Sequence, residues 1–212
     1  MPPSIFLTMC AASVAGLLYA EHGERALLKR IFKPAAALSF LLTGIVSGAL
    51  DTAFGQAILT GLAFCAIGDV LLIPKSHGTF LAGMGAFATG HAAYIAAFMT
   101  GGAAWSPAVF AALVLMAVMS VGMLILLREG MGPLRIPVAF YSLIITIMVA
   151  AGVAHWSATG TPASAQLAVA AAGFALSDVS VARDRFGEVG FANRLWGLPL
   201  YFASQCLFAV NV

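Results

Sequence analysis

Eight apolar runs, at approximately 4–20, 34–50, 56–73, 79–99, 104–127, 135–155, 163–182 and 195–211, divide this chain of 212 residues. Each is close to the 17–25 residues that cross the hydrocarbon core of a bilayer as an α-helix. The predicted fold class is therefore all-α. It is a polytopic membrane protein, a bundle of eight transmembrane helices forming a single transmembrane domain over 1–212. Composition agrees: 62% of residues are hydrophobic and 8% charged, with mean hydropathy +1.02, where soluble domains carry about 25% charged residues. A net charge of +2 is too small to build a basic face for nucleic acid. Cys10, Cys65 and Cys206 are an odd count inside apolar runs, so they read as small buried apolar residues rather than a disulfide framework or zinc ligands. No Lys or Arg precedes the first run, as a secretory leader requires. It is read as the first span, and LTMC before Cys10 is a poor lipoprotein-type cleavage site for the same reason.

The breaks between runs carry turn or charge signals: EHGERALLKRIFK, DTAFG, PKSHG, TGGAAW, REGMGPLR, WSATGTP and RDRFGEVGFANR. Pro34 stands at the expected start of the second span, where its missing N–H costs nothing. Pro137 and Pro199 lie early in theirs, and Pro199 is a candidate kink. Arg25, Lys29, Arg30 and Lys33 fall in the first loop, Lys75 in the third, Arg128 and Arg135 in the fifth, and Arg183, Arg185 and Arg194 in the seventh. All 10 basic residues thus occupy odd loops. The positive-inside rule then predicts cytoplasmic odd loops and both termini outside. A bacterial-type inner membrane is the expected location.

Two of the 8 acidic residues lie inside apolar runs: Asp69 in GLAFCAIGDVLLIP and Asp178 in AAAGFALSDVSVA. An ionised carboxylate at the bilayer centre costs at least about 2.5–3.5 kcal/mol, and intramembrane carboxylates are functional by default. Asp69 precedes Lys75 by six residues and Asp178 precedes Arg183 by five. At 1.5 Å per residue, both lie about 7–9 Å from the cytoplasmic charges. FCAIGDV and GFALSDV are 109 residues, or four spans, apart. A duplication would give two parallel four-helix halves with the aspartates face to face; chance or a shared packing need also produces so short a match.

Other candidates are fewer. His91 lies deep in the fourth span, with Tyr94 three residues on and on the same face. The remaining histidines, His22, His77 and His155, read as surface residues. No His-x-x-x-His pair supports a zinc site, and no metal or organic cofactor is expected. Lys33 is either one more topology charge, snorkelling to the interface, or a phosphate or carboxylate partner at the site's mouth. Tyr201 and Gln205, four apart on the last span, share a face and suit a carboxylate or ligand. Asn193 and Arg194 mark the level of a lipid headgroup, while Arg183 and Arg185 read as topology charges. There is no Gly-x-Ser-x-Gly elbow and no nucleotide-binding glycine loop.

In order, FKPAAALSFLL, TGLAFCAIGDVLLI, FLAGMGAFATGHAAYIAAF, AAGFALSDVSVARDRFG and LWGLPLYFASQCLFA resemble the YhhN-like lysoplasmalogenase family of integral membrane proteins, over roughly 30–210. Gly90–His91 stands where that family is expected to have Ala-His. The resemblance implies hydrolysis of the vinyl ether bond of a lysoplasmalogen, a 1-alkenyl lysophospholipid. The products would be a fatty aldehyde and glycerophosphoethanolamine or glycerophosphocholine. It implies a site of Lys33, Asp69, His91, Tyr94, Asp178, Tyr201 and Gln205; Asn193 is added as a substrate-binding candidate from its place at the span entrance alone. Such a reaction needs a proton donor for the β-carbon and an anion that stabilises the oxocarbenium ion. Two carboxylates in different environments supply this, as in glycoside cleavage; their order is left open. The rival uses of the same carboxylates are proton-coupled transport and lipid binding. Against the former, the chain lacks the Gly/Pro-interrupted helix pairs of such carriers. Oligomeric state is not legible.

Overall fold

The computed structural model describes residues 2–74 and 76–212, and among these the structure is helical throughout. The helices are α1 (Pro3–His22), α2 (Ala26–Val46), α3 (Ala53–Leu71), α4 (His77–Thr100) and α5 (Pro107–Leu126). A short α6 (Arg128–Met131) runs through the 3-10 turn Gly132–Leu134 into α7 (Arg135–Thr159), followed by α8 (Pro162–Phe186) and α9 (Phe191–Val210). Hydroxyl caps start several of them. Thr52 accepts from Gly55 N at 2.9 Å, Ser76 from Thr79 N at 3.1 Å, and Thr161 with Ser164 forms a reciprocal box. Each satisfies a backbone donor that the first helical turn leaves open.

Six helical segments are long and apolar enough to cross a membrane: Pro3–His22, Ala53–Leu71, His77–Thr100, Pro107–Leu126, Arg128–Thr159 and Pro162–Phe186. The chain is a helical multi-pass membrane protein. Its outer surface fits that medium, for Val114, Leu115, Val118 and Leu126 on α5 and Ile136 and Phe140 on α7 are all exposed. Of the two long helices outside the six, α2 carries Lys29, Arg30 and Lys33 near its start, and α9 carries Asn193 and Arg194 near its start and Gln205 further in. Ser39 and Thr43 of α2, and Asn193, Ser204 and Gln205 of α9, are buried. Charges at the end of a helix and polar groups on its inner face both lower its mean hydropathy without setting polar groups against the hydrocarbon.

Helix boundaries depart from the sequence expectation in two places that matter. α2 begins at Ala26 rather than near 34, because Ala-Leu-Leu-Lys-Arg-Ile-Phe-Lys is a run of good helix formers whatever its charge. Pro34 therefore lies inside the helix and not at its start. The carbonyl that loses its partner belongs to Arg30, an exposed residue. α8 runs on to Phe186, so Arg183 and Arg185 occupy its last turn rather than a loop. Lys75, used to judge depth, lies outside the described residues. His155 is not a surface residue. It is buried, stacks on Phe54 and Phe98 at 5.4 and 5.7 Å, and bonds the Gly102 carbonyl through Nδ1 at 2.8 Å. An aromatic ring with one satisfied polar atom packs well at the end of a span.

Packing follows a closed order: α2 on α3, α3 on α4, α4 on α7, α7 on α8, α8 on α9, and α9 back on α2, with α1 against α2 and α5 against α7. Exchanging α2 with α7 and α4 with α9 carries the α4–α7 contact onto α9–α2, the relation that two like four-helix halves would have. α1 also packs on α9, which breaks that pattern.

The α3–α4 contact is close because glycines face it. A side chain on Gly61 would enter the ring of Tyr94, and one on Gly90 would meet Cys65 Sγ and the Gly61 carbonyl at 2.9 Å. Small residues let membrane helices approach in this way. Gly61→Ala is expected to destabilise the protein by about 1–3 kcal/mol through overpacking against a fully buried tyrosine, read as a lower thermal midpoint in detergent. An unchanged midpoint would mean that α4 shifts freely.

Candidate functional site

α3 and α8 each bring one aspartate to the interior, and both aspartates line the same cavity of about 890 Å³. Asp69 is 2% exposed, while Asp178 is only partly buried and so presents more of its surface to the cavity. Asp69 stands two residues from the end of α3 and Asp178 eight from the end of α8.

Asp69 is surrounded by donors. Tyr201 donates to its Oδ2 at 2.7 Å, and Lys33 Nζ lies 3.3 Å from Oδ1. The tyrosine is itself held, since Gln205 Nε2 donates to the Tyr201 hydroxyl at 3.1 Å and Tyr94 donates to Gln205 Oε1 at 2.8 Å. The result is a directed chain, Tyr94 to Gln205 to Tyr201 to Asp69, from α4 through α9 to α3. Bonds in such a chain polarise one another.

Asp178 ends a shorter chain. Tyr141 of α7 donates to Asp178 Oδ2 at 2.9 Å, and the Tyr141 oxygen meets His91 Nε2 at 3.2 Å. A tyrosine proton committed to the carboxylate leaves its oxygen to accept, which places the imidazole proton on Nε2. His91 Nδ1 then has no partner among the described residues. The ion pairs among those residues give Asp69 a cation and Asp178 none. The two carboxylates therefore sit in unlike surroundings within one cavity.

Aromatic rings fill the space between the two chains. Phe174 meets His91 edge-on at 4.5 Å and Tyr201 at 5.2 Å, and Phe87 meets Tyr201 at 6.0 Å. Of the residues expected at the site, Lys33, Asp69, Asp178 and Tyr201 line the cavity. His91, Tyr94 and Gln205 are fully buried behind them as hydrogen-bond partners. Asn193 stands apart: its Nδ2 donates to the Glu188 carbonyl at 2.7 Å, and its own carbonyl accepts from Ser180. That side chain closes a loop and does not line the cavity. Tyr141, which the sequence reading missed, is the direct partner of Asp178. The one signal in sequence was a lone phenol in an apolar span.

The cavity opens at the end where the basic loops lie. There Arg194 bridges Glu21 at 2.6 Å and Asp184 at 2.8 Å, Lys29 pairs with the same Glu21 at 2.7 Å, and Asp184 Oδ1 accepts from Gly190 N at 3.1 Å. This network ties α1, α2, α8 and α9 into one rim.

A model of the YhhN family matches residues 28–212. The chain belongs to the YhhN family. No curated protein and no solved structure shows significant similarity to it. The YhhN match takes in every aspartate, tyrosine, lysine and arginine that lines the cavity; Leu17, Glu21, His22, Glu24 and Ala26 of its lining fall before the match.

Breaking the Lys33–Asp69 pair from one side leaves a buried charge uncompensated, at a cost of about 3–5 kcal/mol. Lys33→Met is expected to lower the thermal midpoint sharply, and the Lys33→Met/Asp69→Asn double variant to recover part of the loss. Two single effects that simply add would deny the coupling.

Proposed function

We propose that this YhhN-family protein is a lysoplasmalogenase-like hydrolase that cleaves the vinyl ether of a lysoplasmalogen by acid/base chemistry of its two aspartates. The observation that carries this reading is the meeting of Asp69 and Asp178, from helices distant in sequence, in one cavity but with unlike partners. Lys33 and Tyr201 compensate an ionised Asp69. Asp178, with Tyr141 on Oδ2 and no paired cation, suits the proton-carrying form.

The steps balance with these two groups and water. Asp178 gives its proton to the β-carbon of the vinyl ether, and the double bond becomes an oxocarbenium ion. Asp69 stabilises that cation electrostatically, a role in which a preorganised charge in a dry site is strong. Water adds to the carbon bearing the ether oxygen, and its proton returns to Asp178. The hemiacetal then collapses: the carbon–oxygen bond to glycerol breaks, the hydroxyl proton passes to the glycerol oxygen, and aldehyde and glycerophospho-base leave. His91 and Tyr141 hold the Asp178 carboxyl in orientation, while Tyr94 and Gln205 do the same for Tyr201. Asp69→Asn and Asp178→Asn are each expected to lower aldehyde release by about 10²–10⁴-fold with the protein still folded in detergent. Full turnover in either variant removes that residue from the scheme.

The same reading takes all eight long helices across the bilayer, with both termini outside and the mouth on the cytoplasmic side. The clustering of Lys29, Arg30, Arg185 and Arg194 at the mouth supports this orientation. An alkaline phosphatase fused after Val212 is expected to be active in cells, and a green fluorescent protein fused there dark. The reverse pattern would invert the topology.

A further inference from the structure

The cavity has a cation and an apolar wall that the hydrolysis scheme leaves without a role. Lys29, Arg30, Lys33, Arg185 and Arg194 all line it. Lys29 and Arg194 are held by Glu21 and Asp184, and Lys33 by Asp69. Arg30 is exposed at the outer rim. Arg185 is half-buried, and among the described residues no carboxylate pairs with it. Its guanidinium lies 4.6 Å over the ring of Phe80, which meets Phe186 edge-on at 5.7 Å. Stacking occupies the guanidinium face and leaves its N–H edge free, the edge that binds phosphate in bidentate fashion. Arg185 follows Asp178 by seven residues, so it lies on the same face of α8 about 10 Å nearer the mouth.

The apolar wall is on α5. Met116, Met119 and Met123 recur at i, i+3 and i+7 and all line the cavity. Three thioethers on one helix face make a flexible, polarizable surface suited to a hydrocarbon chain. α5 and α8 both pack on α7, and the cavity reaches into the cleft between them. There Val181, one turn from Asp178, lines the cavity and is 39% exposed. The volume of about 890 Å³ is within the usual span of small-molecule sites, about 300–1,000 Å³.

We propose that the cavity takes a single-chain phospholipid in one orientation, with its phosphate on Arg185 and its chain along the methionine face of α5, leaving the bundle between α5 and α8. This deepens the hydrolase reading, on which it rests for the bond placed beside Asp178, and it assigns the phosphate to Arg185 rather than to Lys33. The test uses lysophosphatidylcholine with a diazirine at the end of an acyl chain. It has no vinyl ether, so binding is read apart from turnover. Illumination of the full-length protein in detergent is expected to label peptides containing Met116–Met123 or Ser177–Val181. Arg185→Ala should raise the concentration for half-maximal labelling tenfold or more, and Arg185→Lys, which keeps the charge, by less. A monoacylglycerol probe with the same tail should be unaffected by either change. The proposal is overturned if both probes weaken equally, if neither changes, or if adducts fall in the α1–α9 groove around Leu7, Cys10 and Cys206. It is also overturned if inorganic phosphate displaces the probe as well as unlabelled lysophosphatidylcholine does, which would make the site one for a free anion. Expected labelling by a wild-type protein that releases no aldehyde from lysoplasmalogen would sink the hydrolase reading alone. Normal aldehyde release with unchanged KM in Arg185→Ala would sink this one alone.

Discussion

Two carboxylates inside an apolar bundle set the terms for everything around them. Each must be met by donors or a countercharge, because hydrocarbon offers neither. The interior answers with two directed hydrogen-bond chains, and both start on α4, from His91 and Tyr94 three residues apart. One passes through α7 to Asp178, the other through α9 to Asp69. α4 is therefore linked to both carboxylates through hydrogen-bonded intermediaries on α7 and α9. Its close seating against α3, made possible by Gly61 and Gly90, is part of the same arrangement. The chains are unequal, and the inequality is chemical: a lysine stands beside Asp69 and none of the described cations beside Asp178.

Charged ends and the polar interior together lower the mean hydropathy of α2 and α9. α3, α5 and α8 are apolar enough to be recognised as spans although two of them carry the aspartates. α2 and α9 supply Lys33, Tyr201 and Gln205, and Ser39, Thr43 and Ser204 are buried as well. A helix that gives its polar face to a site and its apolar face to lipid has a lower average hydropathy than one that only spans. The rim built by Arg194, Glu21, Asp184 and Lys29 continues that logic to the surface. Partly exposed pairs of this kind are individually weak, yet here one guanidinium joins three helices, and it fixes the width of the mouth.

Much of this was legible in the sequence, and the gaps have physical causes. The aspartates stood out because a carboxylate in an apolar run is costly, and Tyr201 and Gln205 because a four-residue spacing puts them on one helix face. The start of α2 was misjudged because Lys29, Arg30 and Lys33 look like a loop in a hydropathy reading; helix propensity and snorkelling side chains carry the helix through them. Tyr141 could not be found from local pattern. Its partners are 37 and 50 residues away, and its neighbours Val138 and Ile145 make it look like one more core aromatic. Asn193 was misread for the opposite reason. An amide at the entrance of a span resembles a headgroup ligand, but it closes its own loop onto Glu188. Arg185 was taken as a topology charge because sequence does not say that the helix runs on to Phe186 and turns that guanidinium onto Phe80.

Access to the aspartates bears on the choice between a hydrolase and a carrier. The residues lining the cavity lie in the half of the bundle nearer the basic loops; Phe87, Met116, Ile145 and Ala175 are its deepest members. Beyond them the interior is closed by aromatic packing. Tyr94 stacks on Phe208 at 4.1 Å, Phe208 meets Phe98 at 6.3 Å, and Phe98 stacks on His155, which is pinned to the Gly102 carbonyl. Phe40, Phe98, Phe174, Phe202 and Phe208 are all fully buried. A carrier has to open the same site to the other side, and here that would mean unpacking a stacked column at interior density. A hydrolase acting on a lipid needs one polar mouth for the headgroup and water and one sideways exit for the chain. The cavity has the first at its charged rim and, on the proposed lipid orientation, the second between α5 and α8, so access from one side suits the proposed hydrolase better than passage through the bundle.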